Sequence, residues 1–156
     1  MELDSVDIGL LNILQKDNRI SADKLASAVG LSPTAVQRRI KRLRDEGVIE
    51  ADVSIISPKL VGRPMLMLVS VTLERERADI IDRFKQAVRR TPQIMSGYYV
   101  TGEADFVLLV SAKDMNDYES FTRKFFYENN DIKGFKTTVV MDRVKSSFFL
   151  PVAEIT

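Results

Sequence analysis

Pro58, Gly62 and Pro64 fall within the eight residues 57–64, and no regular element can run through them. This break divides the 156-residue chain into two stretches with different hydrophobic grammar. Before it, apolar residues recur at helical spacing. After it, strand-like alternation and helical stripes take turns. The chain is long enough for two small domains, so we read residues 1–57 as one domain, 58–64 as a linker and 65–156 as a second domain.

The first stretch reads as three short helices followed by extended chain. Asp4 is placed to cap the first helix, along which Ile8, Leu11 and Leu14 form an apolar stripe that ends near Asp17-Asn18-Arg19. Ser21 caps the second, with Leu25, Ala28 and Val29 turned inward and Gly30 closing it. Only Leu31 and Ser32 then intervene before a third helix, with Pro33 in its first turn, where a missing N–H costs nothing. Two short helices joined by a tight turn containing glycine, the second of them basic, make the helix-turn-helix pattern. Gly47 ends the third helix, and residues 48–55 read as an extended pair, a small wing.

The third helix carries the chemistry. At about 100° per residue Val36, Ile40 and Leu43 share one face. Thr34, Gln37, Arg38 and Lys41 fall roughly opposite, with Arg42 on the shoulder and Arg39 on the flank. Residues 32–44 hold five cations and no acid, in a chain whose net charge is only +1. A charge run usually solvates an exposed face, but here the sign is single and the segment has no acids for i,i+4 pairs. An apolar back with a cationic, hydrogen-bonding front suits a DNA major groove. Ser32, Thr34, Gln37 and Arg38 lie at the end that meets base edges, where Arg reads guanine and Gln reads adenine. Lys41 and Arg42 are placed for phosphates. Arg39 is open to two readings: a phosphate contact, or a salt bridge to an acid of the first helix such as Asp7.

Beyond residue 64 the pattern predicts a strand over 65–73 and a helix over 78–90 with Ile81, Phe84 and Val88 on one face. Strands follow over 94–101 and 106–112, then a helix over 116–127 with Tyr118, Phe121 and Phe125 inward, and a last strand over 137–145. The order βαββαβ is the ferredoxin-like plan, which makes the whole chain an α+β protein. Both faces of strand 106–112 are apolar, as the last strand also predicts by setting Val139 and Met141 against Val140 and Val144. Two helices cover one face only, so a second copy is expected on the other. The alternative cover is a fold-back of Phe148-Phe149-Leu150.

The composition narrows the chemistry. There are no cysteines, which removes disulfides and thiol nucleophiles, and no histidines, which removes the commonest general base and metal ligand. No metal site, catalytic residue or cofactor is expected. No apolar run is long enough for a bilayer span, and the acidic start Met1-Glu2-Leu3-Asp4 is unlike a signal peptide, so a cytoplasmic protein with no membrane partner is expected.

Several motifs together resemble the Lrp/AsnC family, the leucine-responsive and asparagine-responsive ("feast/famine") transcription regulators. They are Leu3-Asp4-x-x-Asp7, Arg39-Ile40-Lys41-Arg42-Leu43 ahead of Gly47-Val48-Ile49, Val100-Thr101-Gly102-Glu103-Ala104-Asp105-Phe106, and the tail Val139-Val140-Met141-Asp142-Arg143-Val144-Lys145. The resemblance covers essentially the whole chain. It implies a winged helix-turn-helix that binds double-stranded DNA, joined to a βαββαβ domain that senses an amino acid or related metabolite. It also implies a homodimer that assembles into tetramers or octamers.

The resemblance further implies an effector site at the turn formed by Gly102, Glu103, Ala104 and Asp105, near a dimer–dimer contact, with Phe135 and Thr137 at its other side. From the residues alone that turn is an ordinary hairpin loop. Its glycine would let a ligand approach the backbone, and Asp105 could pair with an ammonium group. Thr137 either binds a carboxylate or simply sits in a strand. Two positions depart from the family's habit: Glu103 stands where Asp is common, and Phe135 where many members have Thr. A phenylalanine there shrinks and dries a pocket, which favours an apolar or aromatic amino acid, or no ligand. An effector-independent architectural DNA-binding protein is therefore the alternative. An enzyme akin to tetrapyrrole decarboxylases fits less well, since histidine matters there and this chain has none.

Overall fold

The computed structural model describes residues 1–153, so residues 154–156 of the expected second domain lie outside it. The described chain forms two compact units. The first is Met1–Ser54 together with the residues from Lys145 onward; the second is Ile55–Val144. The C-terminal tail, which the sequence suggests belongs with the second domain, thus lies with the first.

Helices α1 (Ser5–Leu14), α2 (Ala22–Val29) and α3 (Pro33–Asp45) make the first unit. Each starts at the expected cap. Asp4 accepts from the Asp7 N–H while the Asp7 carboxylate accepts from the Asp4 N–H, a reciprocal capping box. Ser21 and Ser32 accept from the N–H groups of Lys24 and Ala35. Gly30, at φ 72°, takes the left-handed turn that lets α3 start two residues later. Leu10, Leu25, Val36 and Ile40 close the core between the three helices. On α2 the inward small residue is Ala26, whereas Ala28 is exposed. The expected strand pair over 48–55 does not form: these residues run without ladder partners. They are fixed by a bidentate Arg44–Asp52 pair at 2.8 and 3.1 Å, braced by Asn18, and by an Ile49 N–H bond to Leu43. Short-range ion pairing takes the place of a ladder there.

The second unit is a four-stranded antiparallel sheet in the order β2-β3-β1-β4, with two helices on one face. Its elements are β1 (Met65–Leu73), α4 (Ala78–Arg90), β2 (Ile94–Tyr99), β3 (Phe106–Ala112), α5 (Met115–Thr122) and β4 (Ile132–Val139). Met67, Val69 and Val71 of β1 and Leu108 and Val110 of β3 turn toward the helices and are fully buried. Each such side chain contributes about 1.5–3 kcal/mol by leaving water. The opposite face is open: Leu68 is 44% exposed and Tyr98 60%.

Two elements differ from expectation. The helix over 116–127 is α only to Thr122, then continues as a π-turn over Arg123–Tyr127. The wider i→i+5 repeat sets Phe126 against Phe121, with ring centroids 5.8 Å apart. The last strand starts and ends earlier than expected, at Ile132 and Val139 instead of 137 and 145. Its partner β1 explains the end. Met67 pairs with Val139, the Val140 N–H reaches Leu66, and then Pro64, which has no N–H, stops the ladder. Met141 and Val144 are therefore highly exposed chain beyond the strand, and the two-faced reading of β4 fails.

Candidate functional site

Helix α3 presents the front that its sequence describes. Thr34, Gln37 and Arg38 are exposed along the first two turns, while Val36, Ile40 and Leu43 are buried behind them. Ser32, the remaining residue of that end, is exposed and spends its hydroxyl oxygen on the Ala35 N–H. Its hydroxyl proton stays available to an acceptor.

The charge of α3 is far less free than the sequence suggests. Arg39 donates to Asp4 at 2.6 Å and to Asp7 at 3.2 Å. Arg42 donates to Asp7 at 2.7 Å. Asp7 is only 1% exposed, so α1 holds a buried carboxylate clamped by two arginines and the Asp4 N–H. The salt-bridge reading of Arg39 is the one the structure adopts, and Arg42, placed by sequence at phosphate, shares it. Lys41 pairs with Asp45 four residues on, an i,i+4 acid that lies just past the segment read as acid-free. Arg44 is held by Asp52. Among the described residues Arg38 alone of the five cations has no acidic partner.

These pairs also tune titration. The Arg39 guanidinium beside Asp4, with help from the Asp7 N–H, holds the Asp4 carboxyl down at about 2. The same bond pushes Arg39 up, and Asp52 is lowered by its bond to Arg44. Cations with such partners are positioned groups, able to present one edge but costly to redirect.

The β2–β3 turn lies at one end of the sheet. Gly102 has φ 116°, a conformation that side chains with a Cβ resist. Gly102 and Glu103 are exposed, and Ala104 and Asp105 half-buried. The Asp105 N–H donates to Val71, and its Oδ2 accepts from the Leu73 N–H at 2.7 Å, so this carboxylate stitches the turn to the end of β1. Val71 is flanked in register by Phe106 and Phe135, which brings Phe135 to the same end of the sheet as the turn. Phe135 is half-buried and stacks on Phe126 at 4.2 Å. Thr137 shares a hydrogen bond with the Tyr118 hydroxyl, whose own ionisation burial pushes upward. The turn and Phe135 thus share one sheet end, whereas Thr137 pairs with Val69 in the middle of β1, and Asp105, Phe135 and Thr137 each already have a partner within the chain. An open cleft of about 500 Å3 lies elsewhere, lined by Arg90 at the end of α4, by Thr91 just past it, and by Lys124 and Glu128 at the π-turn.

Sequence reasoning named Asp7 as one possible partner of Arg39 but missed the other acids that hold α3. Asp4 was visible only as a cap, although its i,i+3 spacing from Asp7 puts both on the side of α1 that a basic neighbour could reach. Asp45 was one residue past the chosen window. Nothing local marks the Leu73–Asp105 bond, which joins residues brought together only by the sheet.

Comparison with known proteins agrees with both halves. Residues 3–50 match the winged helix-turn-helix DNA-binding family, and residues 66–148 match the Lrp/AsnC ligand binding domain. The chain is 68% identical to an uncharacterised HTH-type transcriptional regulator of Sinorhizobium fredii, over 97% of this chain and 90% of the relative. It is 34% identical to the leucine-responsive regulatory protein of Escherichia coli K12, over 94% of this chain and 89% of that one. Its fold superposes with a TM-score of 0.90 on a transcriptional regulator of Neisseria meningitidis crystallised with L-Met, at 29% identity and covering 96% and 97% of the two chains. With both domains matched in order and a leucine-responsive regulatory protein aligned over 89% of its length, this chain belongs to the Lrp/AsnC family of transcription regulators.

Proposed function

We propose that this regulator reads DNA sequence through Thr34, Gln37 and Arg38 and responds to a small amino acid at the Gly102–Asp105 turn. The observation that carries the DNA reading is the selective neutralisation of α3. Acids hold Arg39, Lys41, Arg42 and Arg44, while Arg38 stands exposed beside Gln37 and Thr34 at the helix's leading end. An arginine free to swing, flanked by amide and hydroxyl groups, is suited to bidentate base contact. Ser32, and Arg39, Lys41 and Arg42 through their remaining N–H groups, then serve the DNA backbone. Two copies joined across the open sheet face would present two α3 helices to a roughly palindromic site. Its work lies in the cytoplasm, with the DNA.

Arg38→Ala tests the assignment by electrophoretic shift on preferred and altered sites. The expected cost is about 1–3 kcal/mol on the preferred site with relaxed preference at one position. Unchanged affinity and preference would remove Arg38 from the base-reading set.

The effector reading draws on the matched ligand-binding domain and on the Neisseria relative with L-Met. The exposed turn needs a second surface to enclose a ligand, and another dimer would supply it; ligand binding would then shift assembly toward tetramer or octamer. One observation favours the alternative, an architectural DNA-binding protein without an effector. Asp105, Phe135 and Thr137 are all engaged internally. Thermal melts with each of the twenty amino acids decide between them. A ligand at about 100 times its Kd should add roughly 2.7 kcal/mol. Silence from all twenty, with DNA binding intact, would select the architectural reading.

A further inference from the structure

The C-terminal segment 148–152 lies along α1. The Asn12 side-chain amide donates to the Val152 carbonyl at 3.1 Å. The Gln15 amide nitrogen donates to the Leu150 carbonyl at 2.9 Å, and its oxygen accepts from the Leu150 N–H at 2.7 Å. The Lys16 ammonium sits 5.7 Å from the centre of the Phe149 ring, within reach of a cation–π attraction.

The arrangement has a physical logic. Asn12 and Gln15 are three residues apart and share a face of α1. They are separated by about 4.5 Å along the helix axis. Leu150 and Val152 are separated by about 6.7 Å in extended chain. Two flexible side-chain amides can span that mismatch. Gln15 behaves like the backbone of a neighbouring strand, because one amide both donates and accepts. Pro151 explains why this segment suits the role. It has no N–H to leave unpaired between the two anchored residues, and it confines Leu150 to extended conformations before docking. Less entropy is therefore lost when the tail is ordered.

We infer that the surface at the C-terminal end of α1, made by Asn12 with Gln15 and Lys16 just past the helix, is a docking site for this chain's own tail, and that the docked tail acts as a strap on the DNA-binding unit. The chain leaves the first unit after Ser54 and returns to it at Lys145. With the tail docked, α1 is tied to the rest of the chain at a second point, by hydrogen bonds in addition to the covalent linker. A body held at two points has less freedom to turn about its linker, so the strap narrows the orientations in which α3 meets DNA. That last step rests on the DNA-binding reading; the docking itself does not.

Hydrogen exchange at the Leu150 amide in the full chain tests the docking without any DNA. In the wild type this amide should exchange about tenfold or more below the rate of unstructured peptide. Gln15→Ala removes both bonds. Gln15→Glu keeps an acceptor but sets a carboxylate against the Leu150 carbonyl. Gln15 is exposed, so both variants should fold, as circular dichroism would verify, and both should lose the protection. Free exchange in the wild type, or protection unchanged in both variants, would overturn the docking site. The restraint is tested by fluorescence anisotropy on a duplex that the wild-type chain has selected from a random pool. A chain lacking residues 148–156, and Gln15→Glu, should bind it about threefold or more weakly. Affinities within twofold of wild type would overturn the restraint. A wild-type chain that selects no duplex would overturn the restraint together with the DNA reading, while the exchange result decides the docking on its own.

Discussion

Asp4 performs two tasks with one carboxylate: it caps α1 through the Asp7 N–H and it pairs with Arg39 on α3. Asp4→Asn separates them, because asparagine caps nearly as well but carries no charge. The folded-state pKa, about 2, lies below the ordinary 3.8. A depressed carboxylate contributes stability that is present above 3.8 and lost as pH falls through about 2. The wild type should therefore unfold at higher denaturant than Asp4→Asn at neutral pH, and the two curves should converge near pH 2. Curves that stay parallel down to that pH would show the ion pair to be inert. At this scale the sequence is legible where chemistry is local. The caps at Asp4, Ser21 and Ser32 follow from neighbouring residues, and Arg39's salt bridge was one of two open readings. Lys41's partner lay outside the window, and Asp105's engagement with the Leu73 N–H depends on strand pairing between residues far apart in the chain.

Among the elements, β1, α4 and β3 match their periodicity in both position and length, because each has one face buried against the core and the pattern has nothing to compete with it. Elements at the margins depart. Strand β4 begins with Ile132-Lys133-Gly134, too polar and flexible to read as strand, and it forms because β1 offers an unpaired edge. The π-turn after α5 is invisible to a helical-stripe reading, since Phe121, Phe125 and Phe126 all seek the same core and only a widened turn admits them. Packing between α4 and β2 is closer than the sequence shows. A Cβ on Gly97 would stand 2.7 Å from Val88 Cγ1 and 3.2 Å from Leu108 Cδ2. Gly97→Ala should therefore force α4 outward and destabilise the second unit by about 1–3 kcal/mol in denaturant unfolding. A neutral result would mean that Val88 can rotate clear.

For the molecule as a whole, the open sheet face is the largest consequence of the topology. Leu68 and Tyr98 stand exposed on it, with Val107 and Leu109 half-buried between them. The tail, once the alternative cover, is hydrogen-bonded to α1 instead, so this face stays open to the proposed second copy. Leu68→Glu should convert a dimer to monomer at micromolar concentration in sedimentation velocity, without lowering the melting temperature of the monomeric fold. A wild type already monomeric there would refute the pairing. The apolar character of both faces was legible from strand Phe106–Ala112; the tail's destination was not, because it depends on Gln15, more than a hundred residues earlier.

The acid clamps on α3 carry a consequence for thermodynamics in solution. DNA binding is driven largely by release of condensed counterions, one for each phosphate that a free cation neutralises. A helix whose arginines already face Asp4, Asp7 and Asp52 displaces few of them. With Arg38 the one α3 cation free of an acid among the described residues, each copy should lose only about three- to fourfold in affinity between 50 and 200 mM salt, where six to ten phosphate contacts would lose about a thousandfold or more. Such a chain gains little from charge alone. If copies bind side by side as proposed, the grip on DNA grows with their number rather than with charge.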